Sequence, residues 1–525
     1  MVDGELTRAK FLRGAAGVAA GGVLTTGLAA CGSDSKSGSS GGADDKPQKG
    51  GILQFAVTDS SQGEKLDPLP ALNQHHAIYS TLIWEYLLAV DDDYRPQPRL
   101  ATKFTSNADA SEWTFELRDD VKWHDGKPLT SKDVAWTLKR ILDKDNGSPN
   151  YNAVKDVLDA SGMDTSDPNV LVCKLKRSDA LFPQLFIYDG SQIVQDGWEP
   201  DGKAANAVGT GPFKAKSFRP GAGFEVVRND DWWGGVPYLD GARSVIIADQ
   251  ASKLQSVVSG PSHVTDNVTP AQIKATEGKP LELIRIKDFY ITYFTMDTTK
   301  KPFDDVDVRM AFKLAADREK MLNIAFAGYA TEGNDSSAPV GSAWVPDSAR
   351  RERDVEQAKA LLAKAGYPDG LDIELTTAPI IGGLADAGVA FAEAAKEAGI
   401  RVKIKQWPVD TYFDQVWLKK SFYVDYLGAL HPLKALQLSF VDGAPYNETF
   451  LKDSKADQYV LDGLKEADEG KRDAITAEAM QWQADTEGIL TTGFLDKLKI
   501  QKNTVRGATY SKNGQGDYGR AWLQA

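Results

Sequence analysis

Five histidines, two cysteines and 74 acidic residues carry most of the chemistry open to this chain of 525 residues. The histidines are His75, His76, His124, His263 and His431, and no two stand at the HExxH spacing that grips zinc. Cys31 and Cys173 are too few for a Cys-rich zinc site or a disulfide framework, so neither a metal nor another cofactor is expected. Trp123-His124-Asp125-Gly126 has the letters of an acid–base pair, but Asp-Gly is a turn dipeptide and the segment reads as a β-turn. Gly209-Thr210-Gly211 lacks the third glycine of a dinucleotide loop and reads as another turn. Gly514-Gln515-Gly516-Asp517-Tyr518-Gly519 does match GxGxxG, yet no βαβ unit follows it. There is no Walker A loop and no GxSxG elbow, and the SxxK letters of Ser33-Asp34-Ser35-Lys36 fall in a Gly/Ser-rich stretch. With so many acids, a pair of carboxylates is available by chance, so a glycoside hydrolase has no specific support. No catalytic residue is assigned, and the inventory points to binding.

Composition narrows the class further. Hydrophobic residues make up 42% and charged residues 26%, as in an ordinary soluble globular protein. That excludes a polytopic membrane protein, a collagen and a disordered chain. A net charge of −13 repels phosphate backbones, so no nucleic-acid partner is expected.

The N-terminus carries an address. Arg8, Lys10 and Arg13 precede an uncharged, glycine-rich run over 14–30 that is too short for a membrane-spanning helix. This order fits a signal peptide over 1–30. Leu28-Ala29-Ala30-Cys31 follows and resembles a bacterial lipobox, in which Cys31 becomes the lipid-modified first residue. Residues 7–13 resemble a twin-arginine export motif whose second arginine is Ala9, which leaves the export route open. Residues 31–51 are a flexible Gly/Ser linker. The expectation is a body anchored by lipid to the extracytoplasmic face of the cell membrane.

The body alternates strands with helices. Strands are expected over 52–58, 113–117, 170–174, 224–227, 244–248, 371–376 and 402–406. Helices are expected over 308–317, 354–365, 387–398 and 471–486, and after Thr130, where Asp133 completes a capping box. Such alternation implies an α/β fold.

Several blocks are then recognisable. Residues 112–142 read EWTFELRDDVKWHDGKPLTSKDVAWTLKRIL, and 209–214 read GTGPFK. Arg228-Asn229-Asp230-Asp231-Trp232-Trp233, Pro237-Tyr238-Leu239-Asp240, the run KPFDDVDVR over 301–309 and AKALLAKAGYPDG over 358–370 follow in order. Together they resemble the family 5 extracellular solute-binding proteins, the dipeptide, oligopeptide and nickel-binding group of ABC importers. The resemblance implies a two-lobed, type II periplasmic-binding-protein-like α/β fold with an extra small domain inserted in lobe one. Lobe one would comprise 52–83, 205–287 and 495–525, the insert 84–204 and lobe two 288–494. It also implies a monomer that is not an enzyme, that captures a peptide or other small organic solute and that docks on ABC permease subunits. A sensing lipoprotein on the same fold is the alternative. The ligand would lie between the lobes, near Asp59 and Ser60, Tyr188 and Asp189, Tyr290 through Asp297, and Trp407, Tyr412, Asp425, Tyr426 and His431. Relatives hold a peptide ammonium with an aspartate near this last region, and Asp425 is the candidate here. The His431-Pro432 pair replaces the Arg-Pro of some relatives, which would make affinity there pH-sensitive.

Overall fold

A computed structural model describes residues 46–525 except 59, 61 and 72, so the signal segment, Cys31 and Asp59 lie outside the described residues. An 11-stranded mixed sheet forms the frame. Its main path runs Ile400–Gln406, Leu371–Thr377, Phe422–Gly428, Leu281–Met296, Ile489–Lys502, Val264–Asp266, Ile52–Val57, Gly241–Ile246, Gly223–Arg228 and Phe213–Arg219. Two long antiparallel strands at its centre, Leu281–Met296 and Ile489–Lys502, belong to both halves. Their ladder shifts register twice, between Ile286 and Tyr290 and between Thr292 and Tyr293, and at the first of these Asp288 takes a left-handed φ of 56°. A bulge at that place bends the strand and re-aims its side chains.

A separate antiparallel sheet of four strands stands beside this frame, in the order Ala101–Ser106, Glu112–Leu117, Val170–Leu175 and Leu158–Asp167. Alternation in Glu112–Leu117 buries Trp113, Phe115 and Leu117. Cys173 faces the same core as a free thiol, and burial pushes its pKa up, so it is no nucleophile. The helix Ser131–Leu142 starts at the expected capping box, with Thr130 N–H donating to Asp133 Oδ2 at 2.6 Å. Its face Val134, Leu138 and Ile141 is fully buried.

The motifs that looked catalytic are joints. Trp123 N–H donates to the Lys127 carbonyl at 2.8 Å, and Gly126 takes a φ of +88° in the turn between them. His124 Nδ1 accepts from Gly209 N–H at 3.1 Å, so Nε2 carries the proton and donates to the Gly211 carbonyl at 3.0 Å. Burial pushes His124 down to about 4, which keeps it neutral in this role. A methyl group at Gly209 would lie 1.8 Å from the Ile83 carbonyl oxygen, so the close approach requires glycine. Gly514 and Gly516 belong to a small hairpin that pairs Thr509–Tyr510 with Gly516–Asp517, not to a phosphate loop.

Candidate ligand cleft

The strand directions place the cleft. In one half Ile52–Val57 runs parallel to Gly241–Ile246 and Val264–Asp266; in the other Leu371–Thr377 runs parallel to Ile400–Gln406 and Phe422–Gly428. Asp266 pairs with Lys499 and Gly428 with Tyr290, so both sets point their C-terminal ends at the break in the crossing strands. Ligands of open α/β sheets bind outside such ends.

One cavity adjoins this break, and a second lies next to it. One of about 190 Å³ is lined by Tyr94, Asp288, Ser337, Trp344, Leu430 and Lys512 among others. The second, of about 630 Å³, is lined by Arg95, Trp113, Leu181, Gln184, His431 and Arg472 among others. The segments 91–97 and 429–432 contribute to both, so the cavities are adjoining parts of one cleft. Contacts close its sides. Ala180 N–H donates to the Leu464 carbonyl at 2.8 Å, and Leu181 packs with Leu433, Leu436, Val460 and Leu464. Arg95 pairs with Glu469 and, at 2.8 Å, with Asp473.

Four expected residues stand outside the lining of both cavities. Asp189 accepts from Tyr86 Oη at 2.6 Å and from the Gln515 amide, on the side of the four-stranded sheet. Tyr188 is half-buried, and burial raises its phenol while the His431 backbone opposes the rise. Tyr290 opens the second part of its strand and stands edge-on to Tyr426, with ring centres 5.6 Å apart. Ser60 donates to Glu64 Oε2 at 2.6 Å and belongs to a buried Glu64–His75–Ser244 network. Burial alone would raise Glu64, but His75 and Ser60 hold it below its ordinary range.

Others are corrected. Asp297 follows the last residue of the strand Leu281–Met296, and seven steps of roughly 3.3 Å carry it from Tyr290 away from the break. It holds Thr299 N–H at 3.0 Å and pairs with Lys300. Trp407 follows the edge strand Ile400–Gln406, packs by Lys405 and Lys420 and donates to Thr411, far across the sheet from the crossing strands. Tyr412 is fully buried, with its hydroxyl on the Val424 carbonyl, and is a core residue. Asp425 is fully buried in mid-strand opposite Tyr293, where it accepts from Tyr426 N–H at 2.8 Å. Tyr426 is 1% exposed and stands behind Tyr290 as packing. His431 does reach the larger cavity, but burial first, then Arg472, Arg95 and Lys434, push it down to about 3. It is therefore neutral at physiological pH and no switch there.

Asp266, Asp288, Ser337, Lys499 and Lys512 escaped the sequence reading. The Asp266–Lys499 pair, at 3.5 Å, is buried, and burial pushes Lys499 down to about 8 against the pull of Asp266. The one signal for Asp288 is its place in Lys287-Asp288-Phe289-Tyr290, where the strand's alternation fails. Among the described residues no group of three or more His, Cys, Asp or Glu could hold a metal ion. Nor is any described helix long and apolar enough to cross a membrane.

Comparison with known proteins follows the same lines. A profile described as bacterial extracellular solute-binding proteins, family 5 Middle, matches residues 95–430. The periplasmic oligopeptide-binding protein OppA of Salmonella typhimurium is 25% identical over 497 residues, covering 86% of this chain and 89% of its own. The glutathione-binding protein GsiB of Shigella boydii is 25% identical over 452 residues, covering 81% and 86%. In three dimensions the substrate-binding protein CtaP of Listeria monocytogenes superposes with a TM-score of 0.79 at 20% identity, over 91% of this chain and all of its own. The oligopeptide-binding protein AppA of Bacillus subtilis, solved with a nonapeptide, gives 0.68 at 20% identity over 91% and 100%. These likenesses establish the two-lobed type II binding fold.

Proposed function

We infer the protein's work from one premise: the chain belongs to the family 5 bacterial extracellular solute-binding proteins, which capture a solute outside the membrane for an ABC-type permease. We propose that the solute here is a peptide or another small organic molecule, enclosed between the lobes and released unchanged, so that the protein is a binder and not an enzyme. The observation that supports this most is the cleft itself. Two crossing strands join the lobes, their ladder shifts register between Ile286 and Tyr290, and a cavity lined by Asp288 opens beside that shift. Closure is then a hinge motion at that break. A ligand favours the closed form only through the extra contacts it makes there. Relatives named for oligopeptides and glutathione favour a peptide-like solute.

The proposed division follows: lobe one from 52–83, 205–287 and 495–525, the insert from 84–204, and lobe two from 288–494. The proposed anchor is a lipid on Cys31, with the body a monomer on the extracytoplasmic face, since stable membrane attachment takes about two acyl chains. Native mass spectrometry of the purified protein should show a retained solute, and calorimetry with that solute should show one site per chain. Appearance of a reaction product during incubation would overturn the binding reading. Replacing Cys31 with Ser should release the protein from the membrane fraction; an unchanged distribution would refute the anchor alone.

A further inference from the structure

Two residues with a left-handed backbone meet at the hinge. Asp288 takes a φ of 56° and Tyr94 one of 57°, and Tyr94 Oη donates to the Asp288 carbonyl at 3.1 Å. A residue with a Cβ is crowded in that conformation, which persists only where its surroundings enforce it. Asp288 is enforced from three segments. Its N–H donates to Asp496 Oδ1 at 3.3 Å, on the second crossing strand. Its carbonyl is held by Tyr94, in the turn before Pro96–Pro98. Its Oδ2 lies 3.3 Å from Lys512 Nζ, in the turn of the small C-terminal hairpin. Tyr94 is fixed in its own place: it is 7% exposed, and its carbonyl accepts from Gln184 Nε2 at 2.8 Å. The fit at Asp288 is nevertheless imperfect, because its Oδ1 is buried with no hydrogen-bond partner among the described residues. An orphaned oxygen and a left-handed φ on one residue mark stored strain.

The strain sits where the chain passes between the lobes. Ile286 pairs with Lys497 and Tyr290 with Leu495, so Lys287, Asp288 and Phe289 face the single residue Asp496. A change of φ at Asp288 therefore redirects the first crossing strand without breaking a ladder pair. On the proposed division Tyr94 belongs to the insert, Lys512 to lobe one, and Asp288 is the first residue of lobe two. The holders and the held residue part when the lobes do. We propose that Asp288 is a backbone switch of the hinge, held left-handed by Tyr94, Lys512 and Asp496 while the lobes are together and relaxing to the extended region when they separate. Its strain opposes closure, so the contacts of a solute are needed to offset it. The inference rests on reading the crossing strands as the hinge of a solute-binding protein.

The test needs no solute. Full-length wild type and variants are compared by small-angle scattering, with thermal melts confirming that each is folded. Asp288→Gly and Asp288→Val both lose the carboxylate, but glycine enters the left-handed region freely and a β-branched residue is an outlier there. Asp288→Gly should therefore be no larger than the wild type, and Asp288→Val should be larger than both; Asp288→Ala takes its place if the valine variant does not fold. Tyr94→Phe keeps the ring and loses only the donor, so amide hydrogen exchange over 287–289 should quicken by about tenfold. Equal size for the glycine variant and its bulkier counterpart, whether both match the wild type or both exceed it, would overturn the proposal. So would unchanged exchange in Tyr94→Phe. The two readings fail separately. Equal variants leave solute capture standing, whereas a clear difference between them in a protein that retains no solute in native mass spectrometry leaves the switch and removes solute capture.

Discussion

His431 shows how burial decides the role of a residue whose type promised something else. Its ring lies 5.0 Å from that of Trp344, and the charged groups that act on it are Arg472, Arg95 and Lys434. With a folded pKa of about 3 against 6.5 in the unfolded chain, the fold binds the neutral form. Its contribution to stability is complete above pH 6.5 and is lost as pH falls from there toward 3. Denaturant titrations at pH 7.5 and 4.5 should therefore differ, and His431→Gln should shrink that difference by about 2–3 kcal/mol. An unchanged difference would mean that the imidazole is not held neutral. Solute affinity should stay flat between pH 6 and 8 as far as His431 is concerned. Tyr426 likewise belongs to packing: Tyr426→Ala should cost about 3–5 kcal/mol in chemical denaturation, through the cavity it leaves between Tyr290 and the lobe-two core.

Among elements, the decisive contact is that of the turn at Gly209-Thr210-Gly211 with the end of the helix Gln74–Ile83. Gly211 N–H donates to the Ile83 carbonyl at 2.9 Å, and His124 clamps the turn from the far side. Gly209→Ala must push this joint apart, so soluble yield should fall sharply; a variant that melts within a degree of the wild type would contradict the geometry. Elements of this kind were legible in the sequence because their signals are local. The alternation of Trp113–Leu117, the capping box at Thr130 and the Asp-Gly turn each need only a few neighbours. The cleft was less legible. Alternation tells which face of a strand a residue occupies, but not which end of that strand meets the cleft, so Tyr290 and Asp297 looked alike. The strand Phe422–Gly428 is buried on both faces, so its pattern does not separate a cleft acid from the interior Asp425. Asp288 and Ser337 come together from segments some fifty positions apart, and no periodicity links them.

At the scale of the whole molecule, the proposed division sets contacts between the insert and lobe two beside those that a ligand would make. The helix Ser454–Lys465 leaves its last carbonyls open, as every helix does, and Ala180 N–H satisfies that of Leu464 from across the cleft. Leu181, 3% exposed, fills a gap in the lobe-two core, and Arg95 bridges to Glu469 and Asp473. Trp344 Nε1 donates to the same Asp473 at 2.9 Å, which ties the bridge to the wall of the smaller cavity. Under the proposed division these contacts join the insert to lobe two, and on that reading they favour the closed form whether or not a solute is present. Their weights differ. The Arg95 pair is partly exposed and worth about 1 kcal/mol or less, whereas full burial of a leucine side chain is worth roughly 1.5–3 kcal/mol. Arg95→Glu should therefore loosen solute binding by only a few-fold and reduce its dependence on salt, while Leu181→Ser should loosen it by about tenfold or more. Small-angle scattering of the solute-free protein should show the matching order, with Leu181→Ser the most expanded. If both variants scatter and bind like the wild type, these contacts do not hold the lobes together, and closure depends on the solute alone.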